Sequence, residues 1–256
     1  MSKFPKKAVP SLTVLLMLTV IWECLGAYGS LQEAILPRPS LILVTLIRHR
    51  SLLWHHSVVT LSEAFIGFVI ACLLAFLLGL LMDNITILKN ALHPFLVVSQ
   101  TIPIITLAPL FVIWFGYGWM PKVVVVVMVC FFPVVINFLH GMDHVDQDMI
   151  TLMRTMKAGK YAIFRLVKLP HSLPYLFSGI KISASYAVMG AVIGEWLGAK
   201  DGLGEYMRRS MKAFAVEQTF ASIVIISVVS LLWIWILDKL EIALMPWEKK
   251  ENTEEE

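Results

Sequence analysis

Charge is scarce in this chain of 256 residues: only 15% are Asp, Glu, Lys or Arg, whereas 58% are hydrophobic. In soluble globular domains about a quarter of the residues are charged. The formal net charge of +3 is too small to indicate nucleic acid as a partner. The apolar residues lie in blocks of around 20, a length that crosses a lipid bilayer. The composition therefore excludes a soluble domain and predicts an all-α, polytopic membrane protein.

Motifs for catalysis or for a bound cofactor are also lacking. The sequence contains no Gly-rich phosphate loop and no nucleophile–base motif, so we expect neither nucleotide hydrolysis nor another enzyme activity. The three cysteines lie singly in apolar runs and are interpreted as packing residues. His140 and His144 have a zinc-ligand spacing, but Gly141 stands where a zinc protease has its glutamate. We predict no metal site, no catalytic residue and no cofactor bound by this chain.

Six apolar segments are long enough to span a membrane, and their even number places both termini on one side. Lys and Arg are more frequent in the segments on that side, which predicts cytoplasmic termini. We predict a cytoplasmic N-terminus (1–8), a transmembrane domain (9–244) with a cytoplasmic loop (142–173), and a charged, disordered tail (245–256). The predicted spans are 9–29, 57–82, 90–116, 121–141, 174–198 and 217–244.

Two of these spans carry small residues at every fourth position. On a helix this spacing forms a smooth stripe, which lets a neighbouring helix approach closely. The pattern predicts a tightly packed bundle, with chance as the alternative because Gly and Ala are common in such helices. The stripes are Gly67, Ala71, Ala75 and Gly79 in the second span, and Gly179, Ser183, Ala187 and Ala191 in the fifth.

Proline and polar residues interrupt the middle spans. Pro103, preceded by Gln100, predicts a third helix that is bent or broken near 100–106, because proline removes a backbone donor. Irregular backbone at membrane depth is tolerated only against protein or a water-lined cavity. Asn137 in the fourth span and Glu195 in the fifth are further candidates for function, since polar groups are costly in a membrane. A kinked structural helix is the alternative for the third span.

The longest basic interruption lies between Thr151 and Pro174 and contains five cations and no acid. Its first part places methionine and leucine on one helical face. A short helix with an apolar face and a cationic rim is suited to docking into a groove of a partner protein. A loop lying on the lipid headgroups is the alternative. The cations are Arg154, Lys157, Lys160, Arg165 and Lys168, and the apolar face comprises Met149, Leu152, Met153 and Met156.

Several motifs, in this order and at this spacing, resemble the permease subunits of bacterial ATP-binding-cassette importers. The loop 151–170 is placed like that family's Glu-Ala-Ala loop: Leu169 and Pro170 match, whereas Lys157 stands at the usual glycine and Gly159 follows two positions later. The resemblance covers residues 20–245 and is greatest to importers of aliphatic sulfonates, taurine, nitrate and pyrimidine precursors of thiamine. The other matching stretches are 36–40, 107–110, 114–116, 131–133, 194–199 and 202–204.

The resemblance implies a six-helix permease of the type I importer fold in the bacterial cytoplasmic membrane. Two copies would pair around a pathway, dock on separate ATPase subunits that bind ATP and Mg, and receive solute from an extracytoplasmic binding protein. The sequence is most similar to permeases for hydroxymethylpyrimidine-type precursors, ahead of sulfonate, taurine or nitrate. An ion-coupled carrier or a channel without an ATPase partner is the alternative, and an intramembrane enzyme is a second rival.

The resemblance also assigns roles to residues of this chain. We expect the ATPase contact itself to be formed by Met153, Met156, Lys157 and Ala158. The pathway is expected to be bordered by Gln100, Pro103, Asn137 and Glu195. The complete set assigned to ATPase coupling is Thr151, Leu152, Met153, Met156, Lys157, Ala158, Gly159, Leu169 and Pro170.

Overall fold

The computed structural model describes residues 8–28 and 35–246, and all of the regular structure in these ranges is helical. Predictions for residues 1–7, 29–34 and 247–256 lie outside the described residues. In chain order the elements are α1 (Ala8–Tyr28), α2 (Pro39–Arg48), α3 (Arg50–Asn84), α4 (Thr86–Ser99), α5 (Ile104–Phe115), α6 (Met120–Asp143), α7 (Gln147–Thr155), α8 (Lys160–Ile163), a π-helical turn (Phe164–Lys168), α9 (Leu169–Glu195), α10 (Leu203–Lys212) and α11 (Val216–Leu244).

Within the described residues, four helical segments are long and apolar enough to cross a membrane, or five if α4 and α5 together form one span. Helix α1 has 21 residues and is apolar over Thr13–Ala27. An all-helical membrane fold is therefore confirmed, whereas the predicted count of six spans is not. The four segments are Arg50–Asn84, Met120–Asp143, Lys160–Glu195 and Val216–Leu244.

Helix α6 lies at the centre of the bundle, because its contacts with α9 and with α3 are the most extensive between any two elements. Gly67 of α3 lies against the side chain of Val126, and Gly179 of α9 lies against the backbone of Val134. At each point a larger side chain would push the helices apart. The eight residues of the two predicted small-residue stripes are all buried.

Helices α4 and α5 are separated by a break at residues 100–103, across which the helix axis turns by 102°. The predicted break is thus present in the structure. Two threonines satisfy carbonyl groups beside it: the Thr101 hydroxyl donates to the Val98 carbonyl over 2.8 Å, and that of Thr106 donates to the Pro103 carbonyl over 2.7 Å. Local hydrogen bonds of this kind allow irregular backbone to persist inside an apolar domain.

Candidate functional site

The basic loop (residues 142–173) connects α6 with α9, and its first helix, α7, ends in a Schellman motif. The Ala158 amide donates to the Met153 carbonyl and the Lys157 amide donates to the Arg154 carbonyl, each over 2.9 Å. Lys157 has φ +57°, the left-handed conformation that favours glycine, whereas Gly159 has an ordinary φ of −72°. Lys157 therefore forms the left-handed turn itself, at the position where the family consensus has glycine. Gly159 does not form this turn.

This motif turns part of the loop inward. Met153 and Ala158, which the motif joins, are half-buried and pack against a small apolar cluster inside the loop. The loop therefore has its own core, which fixes the direction of α7 relative to α9. The buried members of that cluster are Val145, Ile150, Ile163 and Val167.

The opposite face of the loop is apolar and exposed. Leu152 is 59% exposed and Met156 is 71% exposed, and Met149 and Tyr161 are exposed beside them. Lys168 is held by Asp83 of α3, with 2.7 Å between Nζ and Oδ1. The other four cations of the loop are exposed around this face. We define the docking face as Met149, Leu152, Met156 and Tyr161.

Three further residues assigned to ATPase coupling lie outside both the core of the basic loop and the docking face. Thr151 is exposed and donates its hydroxyl to the Gln147 carbonyl over 2.8 Å. Leu169 and Pro170 are half-buried at the start of α9. Their coupling role stays a prediction.

Replacing Lys157 with glycine is expected to stabilise the protein by about 0.5–1 kcal/mol, because the left-handed conformation costs an L-residue more than glycine loses in chain entropy. Thermal unfolding in detergent measures the change, expected as a rise of about 1–4 °C in Tm. Lys157→Ala is the control, since it removes the cation without relieving the backbone. An equal rise in both variants would show that charge, not backbone conformation, limits stability there.

A cavity of about 300 Å³ opens at the break between α4 and α5. Gln100 and Pro103 line it together with residues of α6 and α9, including Phe132 and Tyr186. Its lining contains no charged residue. We call this the break cavity. The structure thus brings together two of the four residues expected to border a pathway.

The other two lie elsewhere. Asn137 is half-buried, donates its side-chain amide to the Pro133 carbonyl over 2.8 Å, and packs against Gly179. Glu195 is fully buried at the far end of α9. Neither contributes to the lining of the break cavity, and their pathway role stays a prediction.

Sequence reasoning missed a polar stripe on α9. His171, Tyr175, Ser178, Tyr186 and neighbouring residues are exposed although the rest of the helix is largely buried. Polar side chains at spacings of three and four in an apolar segment could have revealed it, because such groups avoid lipid. The stripe joins the basic loop to the break cavity. It consists of the polar residues His171, Tyr175, Ser178 and Tyr186, with the apolar residues Ile182 and Met189 exposed on the same face.

Sequence reasoning also missed two buried charges around Glu195. Lys122 of α6 forms an ion pair with Glu63 of α3. The Glu195 carboxyl accepts hydrogen bonds from the Thr60 hydroxyl and from the Gly204 amide, each over 2.6 Å. We call Thr60, Glu63, Lys122 and Glu195 the buried carboxyl cluster. Opposite charges in two apolar spans could have revealed it.

The glycines after Glu195 are required by this cluster. A Cβ atom on Gly202, whose φ is +118°, would overlap the Glu195 carboxyl group, and one on Gly204 would lie 2.6 Å from the Val192 carbonyl oxygen. The Gly202 amide donates to His56 Nδ1 over 3.0 Å, and the Leu203 amide donates to the Thr60 hydroxyl over 2.7 Å. The chain segment 202–204 is therefore bound to α3 by its backbone.

Helix α10, which follows, carries a third buried carboxyl group, Glu205, with a different environment. Burial alone would raise the pKa of Glu205, but hydrogen bonds from Arg208 and Arg209 hold that pKa below its usual value. This carboxyl is therefore ionised at neutral pH. In the described ranges no group of His, Cys, Asp or Glu side chains has a geometry that could hold a metal ion.

Membrane-spanning helices around a central helix, a broken helix beside a cavity and a basic loop with an exposed apolar face together define the membrane subunit of a transporter. Residues 67–244 match the family described as the binding-protein-dependent transport system inner membrane component. The chain belongs to this family. It is the permease subunit of an ATP-binding-cassette importer, a multi-pass inner-membrane component rather than an enzyme, and ATP hydrolysis is performed by a separate ATPase.

Curated relatives agree with this assignment. The chain is 40% identical to the formylaminopyrimidine transport permease protein ThiX of Halalkalibacterium halodurans, over 92% of this chain and 94% of that protein. It is 31% identical to the riboflavin transport system permease protein RibX of Chloroflexus aurantiacus, over 96% and 92% of the two chains. It is 29% identical to the putative aliphatic sulfonates transport permease protein SsuC of Bacillus subtilis, over 90% and 84%.

Solved structures show the same fold. An inward-facing structure of the MetNI methionine ABC transporter matches with a TM-score of 0.60 at 21% identity, covering 79% of this chain and 97% of that one. The type I importer permease fold is thereby established for the helical bundle. Membership of the family implies an ATPase partner and a solute-binding protein.

Proposed function

We propose that this permease imports a small pyrimidine precursor of thiamine, of the hydroxymethylpyrimidine type. The observation that carries the proposal is the 40% identity, over nearly the whole chain, to a permease named for formylaminopyrimidine. Permeases named for aliphatic sulfonates and for taurine are 29% and 25% identical.

The chemistry of the break cavity supports a neutral, planar solute. The Phe132 and Tyr186 rings and the sulfur atoms of Met128 and Met189 line it, and the Gln100 amide supplies donors and an acceptor. Aromatic and thioether groups pack well on flat rings, and an amide matches the edge of a pyrimidine.

A sulfonate is the second candidate, and the absence of charge in the break cavity disfavours it. Burying an anion without a cation or several donors is costly. Cations do line a separate cavity of about 450 Å³ near α10, which includes Arg208 and Lys212. Arg208, however, already donates two hydrogen bonds to Glu205, of 2.6 and 2.8 Å.

We place the translocation pathway along the polar stripe of α9, between two copies of the chain with cytoplasmic termini. The stripe would be costly against lipid and is suited to a hydrated path that a second copy completes. Gln100 and Pro103 border this path from the break, and Asn137 is proposed to border it further along α6. The docking face of the basic loop then contacts the partner ATPase, which binds ATP and Mg.

Uptake by intact cells that depend on this permease tests the solute. Labelled hydroxymethylpyrimidine is expected to accumulate, and excess unlabelled formylaminopyrimidine is expected to suppress that accumulation at least tenfold. Excess taurine is the matched control and should leave uptake unchanged. Efficient labelled taurine uptake that pyrimidines do not inhibit would replace the pyrimidine assignment with the sulfonate one.

A further inference from the structure

The buried carboxyl cluster brings three ionisable side chains from three helices into one enclosed site. Glu63 of α3 is 5% exposed, Lys122 of α6 is 8% exposed and Glu195 of α9 is fully buried. One ammonium group therefore faces two carboxyl groups. With both carboxyls ionised the site would hold a net negative charge away from water, which is strongly unfavourable. One added proton makes the site neutral.

The hydrogen bonds of Glu63 indicate where such a proton is needed. Its Oε1 pairs with the Lys122 ammonium. Its Oε2 is buried and receives no hydrogen bond from any described residue. The Glu195 carboxyl lies next to it, since Thr60, one turn before Glu63 on α3, contacts Glu195 Oε1, and since Gly194 lies against Lys122. Two ionised carboxylates only accept, so the two carboxyls can hydrogen-bond to each other only if one of them is protonated.

The Glu195 carboxyl is already supplied with donors. The Thr60 hydroxyl donates to its Oε1 and the Gly204 amide donates to its Oε2, each over 2.6 Å, while the Thr60 oxygen accepts from the Leu203 amide. The added proton therefore belongs on the contact between Glu195 and the Oε2 of Glu63, the carboxyl oxygen that has no donor among the described residues.

We propose that Glu63 and Glu195 form a buried proton-binding site, in which one shared proton and the Lys122 ammonium hold segment 202–204 against α3. The site is distinct from the break cavity and from the docking face. Its loss of a proton would place a second negative charge beside the backbone that anchors this segment.

The charged groups around the site are few. Lys122 is the cation that faces it, and the imidazole of His56 lies one hydrogen bond away through Gly202. Because His56 Nδ1 accepts the Gly202 amide hydrogen, that nitrogen carries no proton. Beyond His56 lie His55, Asp201, Glu205 and Arg209.

Infrared spectroscopy of the purified, detergent-solubilised protein tests the proposal directly. The wild-type protein at neutral pH is expected to show the carbonyl stretching band of a protonated carboxyl group, shifted on exchange into D₂O. Glu63→Gln and Glu195→Gln should each remove the band, since an amide then replaces one carboxyl and Lys122 balances the other. Glu205→Gln is the matched control: it removes a buried carboxyl that two arginines keep ionised, so the band should persist.

Thermal unfolding provides a second readout. Between neutral and alkaline pH the wild-type Tm is expected to fall by roughly 5 °C or more relative to Glu195→Gln, which has no proton to lose. If neither single variant accumulates, the wild-type spectrum still decides. Absence of the band in wild type, or its persistence in both single variants, would overturn the proposal. So would an identical alkaline decrease of Tm in wild type and Glu195→Gln.

Discussion

Gly202→Ala is expected to eliminate most of the folded protein. The added methyl group would overlap the fully buried Glu195 carboxyl, which Thr60 holds in place, and φ at this position is +118°. Overpacking and backbone strain together predict a loss of about 2–5 kcal/mol, a large part of the stability of most domains. Fluorescence-detected size-exclusion chromatography of a tagged protein from solubilised membranes measures the folded fraction.

Gly116→Ala is the matched control for this prediction. Gly116 also has a left-handed φ, of +74°, but nothing lies within 4 Å of the position a Cβ atom would take. It should therefore show the cost of backbone strain alone, about 1–3 kcal/mol. Equal accumulation of the two variants would mean that segment 202–204 is not packed against Glu195.

The double variant Leu152→Asp/Met156→Asp is expected to separate the permease from its ATPase without unfolding it. Both side chains are exposed in the docking face, so the new carboxylates stay hydrated in the free subunit. In the complex they would be buried in an apolar groove, where hot-spot losses of about 2 kcal/mol or more per residue predict at least a 100-fold weaker association. Co-purification of the ATPase with tagged permease is the measurement.

Met211→Asp is the control, because it places a carboxylate on a similarly exposed methionine of α10, outside the basic loop. Ala158→Asp would be a poor probe, since Ala158 packs against the core of the basic loop and its substitution would disturb the loop itself. Normal ATPase recovery with the double variant would exclude the docking face from the contact.

The parts of the fold that depend on composition and local rules could be predicted from the sequence. Apolar blocks indicated the helices, Pro103 indicated the break, and spacings of four indicated residues that are buried in the structure. The count of spans could not be predicted, because α4 and α5 turn by 102° at their junction.

The arrangement of the candidate sites was harder to predict from the sequence than the fold. Met153 was expected on the same face as Met156, but it is half-buried against the loop core, whereas Met156 is exposed. Glu63 and Lys122 are 59 residues apart, and only the packing of α3 on α6 shows that they meet. A helical pattern gives the direction of a side chain relative to its own helix, whereas a tertiary ion pair depends on how two helices are placed.

Transport by the reconstituted complex is the most direct test of the central claim that this chain is a permease driven by a partner ATPase. Proteoliposomes should contain the permease and its ATPase, and should be supplied with the solute-binding protein and a labelled pyrimidine. Uptake is predicted to require ATP and to be abolished by Leu152→Asp/Met156→Asp. Uptake by the permease alone, driven by an ion gradient without ATP, would contradict this account and identify a secondary carrier.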